Sequence, residues 1–158
     1  MTSSSESGPP PSRVPWPPLL FIAVIIGGRV LDVSLDLPKI SFGSVKIVGG
    51  ILCALGLVND IWCALTLRGH NTTILPHRAV ATLVTSGPYR FSRNPIYISE
   101  LALTVGIALV LRSWTILALT PPLFFALTKL AVEPEERHLR EKFGAKFDAF
   151  CARTPRWL

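Results

Sequence analysis

The sequence predicts an all-α, polytopic membrane protein: about four transmembrane helices followed by a C-terminal amphipathic cytoplasmic helix. Three observations carry this. Hydrophobic residues make up 49% of the 158 residues and charged residues only 16%, and the mean hydropathy is +0.46, too apolar for an ordinary soluble domain. The apolar residues gather in four blocks, about 18–37, 45–67, 95–111 and 114–130, each close to the ~20 residues that carry a helix across ~30 Å of hydrocarbon. The net charge of +6 sits beside those blocks, as suits an anionic membrane surface. There is no separate basic, aromatic-interleaved patch of the kind that grips nucleic acid. The length is that of one domain, 18–158, behind a lead-in.

The lead-in, residues 1–17, is Ser- and Pro-rich and is expected to be disordered. It lacks the small-residue cleavage pattern of a secretory signal, so the block behind it is expected to be retained. The first helix, about 18–37, carries Arg29, Asp32 and Asp36 in its second half. Arg29 and Asp32, three apart, share a face and can pair, either as a buried polar site or as helix-end charges reaching the headgroups. The second helix, about 45–67, has Gly49, Gly50 and Gly56 for close packing. Asn59 and Asp60 interrupt it. An aspartate at that depth is costly unless partnered, so Asp60 is expected to face the bundle interior, for structure or for a site.

Only Arg112 and Ser113 separate the third helix, about 95–111, from the fourth, about 114–130, which predicts a tight antiparallel hairpin. Pro121 and Pro122 predict a kink or break in the fourth. In the tail, 133–158, Leu139, Phe143, Phe147 and Phe150 recur at helical spacing as an apolar stripe, interrupted by Gly144.

Four spans put both termini on the side of the 68–94 loop. That side holds Arg13, Arg68, Arg78, Arg90, Arg93 and every Lys and Arg from Lys129 onward, against Lys39, Lys46 and Arg112 opposite. The positive-inside rule therefore makes the loop, the tail and both termini cytoplasmic. A cytoplasmic loop also disqualifies the glycosylation sequon at Asn71-Thr72-Thr73. Cys53, Cys63 and Cys151 show neither disulfide framework nor metal spacing. His70 and His77 have no ligand companions nearby, so no metal is expected.

The chemistry concentrates in Thr82 to Tyr97, TLVTSGPYRFSRNPIY. The hairpin returns the chain to the same side and brings EPEE, Glu133 to Glu136, to the depth of RNPIY. One segment offers amides and ring faces, the other carboxylates. Together they suit a zwitterionic, nucleoside-bearing ligand at the interface. The plainer reading is that Arg90 and Arg93 anchor to headgroups and the glutamates form a solvated face. Glu100, three residues after Tyr97, is on the same helix face.

LVTSGPYRFSRNPIY, a hydrophobic hairpin, and EPEERHLREKFGAKFDAFCARTPRWL, in that order over residues 68–158, resemble the isoprenylcysteine carboxyl methyltransferase family and its wider group, the phospholipid methyltransferases. The resemblance implies an enzyme using S-adenosylmethionine at the cytoplasmic face, with a lipophilic methyl acceptor arriving from the bilayer among membrane lipids. Carried over by motif, Ala81, Thr82, Leu83 and Val84 line the cofactor. Tyr89 packs on it, Asn94, Pro95, Ile96 and Tyr97 wall it, and Glu135 binds it from the tail. The short chain looks like a prokaryotic, inner-membrane member. Two departures stand out. Asn94 replaces a histidine common in members acting on prenylcysteine. Ala131 stands where the eukaryotic carboxyl methyltransferases place an arginine for the substrate carboxylate, leaving Lys129 as the nearest basic candidate for the acceptor.

Methyl transfer from a sulfonium is an in-line displacement that depends on holding the two partners aligned in a dry pocket. Where the acceptor must lose a proton, Glu100 and Glu136 are the candidate bases. Two other classes compete. Membrane sterol reductases resemble the same hairpin but use NADPH, and a non-catalytic scaffold would bind neither cofactor.

Overall fold

The computed structural model describes residues 16–70 and 82–158. Its helices are α1 (Trp16–Ser34), α2 (Val45–Gly69), α3 (Pro95–Leu111), α4 (Trp114–Leu127), α5 (Glu133–Phe143) and α6 (Ala145–Arg153). A 3-10 turn, Gly87–Arg90, precedes α3, and a π-helical turn, Thr128–Val132, joins α4 to α5. Among the described residues the only β pairing is an isolated bridge between Lys39 and Ser113. Most of the expected lead-in lies outside the described residues, as do Ala81, His77 and the sequon. Trp16 and Pro17 already belong to α1, whose first turn tolerates Pro17 and Pro18 because those N–H groups have no helical partner.

Among the described residues three helical stretches are long and apolar enough to cross a membrane: Pro17–Ser34, Val45–Gly69 and Trp114–Phe143. The shorter apolar α3 has 17 residues, about 26 Å of helix at the standard rise. Large apolar side chains point outward along this bundle, Ile22, Ile26 and Val30 on α1 and Ile51, Val58 and Leu65 on α2 among them. Such a surface is stable against lipid and not against water. The chain is a multi-pass, all-α membrane protein.

α2 packs most closely on α3, and α1 on α4. The α2–α3 seam is made of small residues. A Cβ on Gly49 would lie 2.7 Å from the Gly106 carbonyl, and one on Gly106 would lie 2.6 Å from Cys53 Sγ, so the backbones approach as only glycine allows. Above that seam, Asn59 Nδ2 donates to the Pro95 carbonyl (3.0 Å) and to Ser99 Oγ (2.7 Å), tying the start of α3 to α2. Gly106→Val should therefore lower stability by about 1–3 kcal/mol through overpacking. A drop in thermal midpoint of the detergent-solubilised protein checks it, with Gly50→Val, where a Cβ meets nothing within 4 Å, as the silent control.

Three local expectations change. α4 runs unbroken through Pro121 and Pro122, both exposed. Proline's fixed φ is itself helical, and the departure from α geometry comes later, in the π-helical turn, which resets the face presented by α5. Arg29 and Asp32 form no ion pair among the described residues. Asp32 is buried against α4, where it accepts the Thr115 hydroxyl, while Arg29 remains exposed. The tail is two helices, because Gly144 takes φ +50° and ends α5.

The two ends of the bundle differ. At one end the 38–40 segment meets the α3–α4 turn, with Ile40 N donating to the Arg112 carbonyl (3.0 Å). At the other end the 82–94 segment, the start of α3, and α5–α6 converge.

Candidate active site

Residues 82–86 approach the site without helical structure. Thr82 is exposed, Leu83 partly buried and Val84 buried. Gly87 then opens the 3-10 turn at φ +58°, where a Cβ would strike Thr66 Oγ1 at 2.6 Å. The absence of a side chain lets the GPYR turn sit close on α2. Tyr89, on this turn, lies in one electrostatic neighbourhood with Cys63 and Asp60 of α2 and Glu135 of α5, and burial pushes its phenol well above its ordinary range. Its hydroxyl therefore stays protonated.

α3 begins at Pro95, a position where the missing N–H costs nothing. Tyr97 follows on its first turn. The Tyr97 ring packs on the cluster of Phe21, Leu123 and Leu127, between α1 and α4. Its hydroxyl donates to Glu135 Oε2 at 3.2 Å. The expected meeting of RNPIY and EPEE is thus a direct contact. Glu100, one turn deeper, is within electrostatic reach of Asp60 and of Tyr97. Asp60 Oδ1 and Glu100 Oε2 are buried and find no hydrogen-bond partner among the described residues. Two unpartnered acceptors beside two tyrosines and Glu135 make a polar cluster in an apolar bundle, where each unmet group is costly.

A clamp of charged and amide groups ties the 92–94 segment to α5 and the end of the chain. Arg93 Nη1 lies 3.0 Å from Glu136 Oε1, and Arg156 Nη2 2.6 Å from Glu136 Oε2. The Arg156 carbonyl accepts from Asn94 Nδ2 (2.9 Å) and Ser92 Oγ (3.1 Å), and Arg93 N donates to the Pro155 carbonyl (3.0 Å). The terminal Pro-Arg is thereby stitched to the residues before α3. Trp157 completes the closure against Phe124, their ring centroids 4.8 Å apart.

Several expected roles change with this geometry. Glu136 does not present a free base: both its oxygens are held by guanidinium groups. Asn94 is buried, and its side-chain amide donates to the Arg156 carbonyl, which ties the start of α3 to the end of the tail. The Lys129 side chain is 70% exposed and pairs with Glu133 one turn on (2.7 Å). Pro95 is buried, its carbonyl engaged by Asn59, and Ile96 is partly buried. Arg156 and Ser92 had no role in the sequence reading, Arg93 was read only as a headgroup anchor, and Asn59 only as an interruption of α2. The signal for Arg156 was the Pro-Arg at the end of the tail motif.

Fold and candidate site together define a polytopic membrane protein with a cluster of buried polar groups at one end of a helical bundle. Residues 45–146, from α2 into α6, match the family model of the phospholipid methyltransferases, and the chain belongs to that family. Similar curated proteins include the nickel-cobalt-cadmium resistance protein NccN of Alcaligenes xylosoxydans xylosoxydans, 34% identical over 108 residues. The cobalt-zinc-cadmium resistance protein CzcN of Cupriavidus metallidurans is 30% identical over 108 residues. Each match covers 68% of this chain and 46% of the relative, so the chain spans about half the length of these curated relatives. No solved structure matches.

Proposed function

We propose that this chain uses S-adenosylmethionine to methylate a lipophilic acceptor bearing an amine, at the membrane face where the 82–97 segment closes on α5. The observation that carries the proposal is the Tyr97–Glu135 contact, beside two buried carboxyl oxygens that have no partner among the described residues. Those residues fit the cofactor. Glu135 is placed to hold an ammonium or ribose hydroxyls, and Tyr89 and Tyr97 supply apolar walls. When bound, S-adenosylmethionine supplies an electrophilic methyl group on a sulfonium.

The chain's own work is to align and to remove a proton. A neutral amine that gains a methyl group becomes an ammonium and must shed a proton, and Glu100 Oε2 is an oxygen available to take it. Asp60 would hold a further N–H. An anionic carboxylate acceptor would instead approach two carboxyl groups, with Ala131 in place of an anchoring arginine. The geometry therefore favours an amine over the prenylcysteine carboxylate that the family resemblance first suggests. The basic loop and tail support a cytoplasmic site in a prokaryotic inner membrane. The relatives' names tie them to nickel, cobalt, zinc and cadmium resistance, so acceptor screens on this chain should be run with and without those cations.

Calorimetric titration of the purified protein with S-adenosylhomocysteine and with NADPH tests the cofactor. Binding of S-adenosylhomocysteine alone is expected. Binding of NADPH alone would replace the proposal with a reductase, and binding of neither would favour a scaffold.

A further inference from the structure

At the end of the bundle away from the tyrosines, α1, the 37–39 segment and the α3–α4 turn enclose a polar cavity of about 190 Å³. Five charged side chains line it: Arg29, Asp32, Asp36, Lys39 and Arg112. Among the described residues none of the five is in an ion pair, although both signs face one small space. Asp32 is 8% exposed, and its Oδ2 is buried without a hydrogen-bond partner among the described residues.

Two of these groups have anchors of their own. Asp32 is fixed from behind by the Thr115 hydroxyl. Arg112 is fixed by its Nε, which donates to the Ile40 carbonyl, and by a left-handed backbone at φ +58°. Asp36 is the other non-glycine residue with positive φ among those described, at +45°. Asp32 and Arg112 are thus each held by an uncharged partner and not by one another, which leaves room for a ligand that satisfies both.

We propose that this cavity binds a zwitterionic phosphoamine headgroup, its ammonium on Asp32 and its phosphate among Arg29, Lys39 and Arg112. An N–H donor is what Asp32 Oδ2 lacks, and a phosphate is what guanidinium groups recognise at a membrane surface. Phosphatidylethanolamine in the leaflet opposite the active site presents this chemistry, and so does soluble glycerophosphoethanolamine. A quaternary headgroup has no N–H to give, and phosphatidylglycerol has no ammonium.

The test is native mass spectrometry of the whole protein from nanodiscs of phosphatidylethanolamine, phosphatidylcholine or phosphatidylglycerol. Retention of phosphatidylethanolamine is expected to exceed that of the other two by about tenfold, the effect of one charged hydrogen bond. Asp32→Asn should abolish the preference. Arg29→Gln, at an exposed residue whose loss leaves packing intact, should weaken it too. Competition by glycerophosphoethanolamine would assign the site to the headgroup alone, and its failure would assign it to the membrane lipid. Equal retention of the three lipids would overturn the proposal. So would a preference lost in Glu100→Gln but kept in Asp32→Asn and Arg29→Gln, since that places the lipid at the other end. Titration with S-adenosylhomocysteine should be unchanged in both cavity variants, which separates failure here from failure of the methyltransferase reading.

Discussion

Glu136→Ala is expected to destabilise the protein by about 3 kcal/mol, the low end of the cost of removing one partner from a buried ion pair. The reason lies in what the substitution strands. The Arg93 side chain is only 15% exposed, and its Nε already has no partner among the described residues. Without Glu136 its guanidinium would keep Cys151 Sγ as its one contact in this set. Arg156, 38% exposed, can turn to water, which is why the low end applies. Arg156 also supplies the carbonyl that holds Ser92 and Asn94, so loss of the clamp should loosen the start of α3 with it. Thermal unfolding in detergent reads the effect, and faster amide exchange at 92–97 locates it. Lys129→Ala, which breaks an exposed pair, should leave the midpoint unchanged. Equal midpoints for Glu136→Ala and Lys129→Ala would refute the clamp.

Glu135→Ala should weaken S-adenosylhomocysteine binding by about ten- to a hundredfold, the range for a hydrogen bond to a charged group. Tyr97→Phe should cost about three- to tenfold, because it removes the hydroxyl and keeps the ring. Tyr97→Ala is the poorer probe: the ring packs on Phe21, Leu123 and Leu127, so truncation also opens a cavity and costs stability. Helical content should be unchanged in Glu135→Ala and Tyr97→Phe. Wild-type affinity in both would contradict the proposed pocket.

What the sequence made legible follows from its periodicities. Apolar length placed the helices to within a few residues, because hydrocarbon thickness and helix rise leave little freedom. The Arg112-Ser113 hairpin then forced RNPIY and EPEE to one end, and Tyr97 meets Glu135 there. What stayed hidden depends on side-chain direction. Arg29 and Asp32 share a face by spacing, yet Asp32 turns to Thr115 more than eighty positions along the chain. The π-helical turn at Thr128–Val132 changes the face of α5 without any composition signal, and Glu136 therefore reads as a base in sequence but sits between two arginines. Asn59 looked like an interruption of α2 and proves to be its tie to α3. Proline at 121 and 122 suggested a break that a helix-compatible φ and an exposed position make unnecessary.

The most direct measurement is transfer of a labelled methyl group. Purified protein in nanodiscs that contain phosphatidylethanolamine is incubated with methyl-labelled S-adenosylmethionine, and the lipid fraction is analysed for label and for its position. Label on the headgroup nitrogen, lost in Glu100→Gln and in Glu135→Ala, is the expected result. No label in any amine-bearing lipid, at a protein concentration where S-adenosylhomocysteine binds, would contradict the proposed reaction.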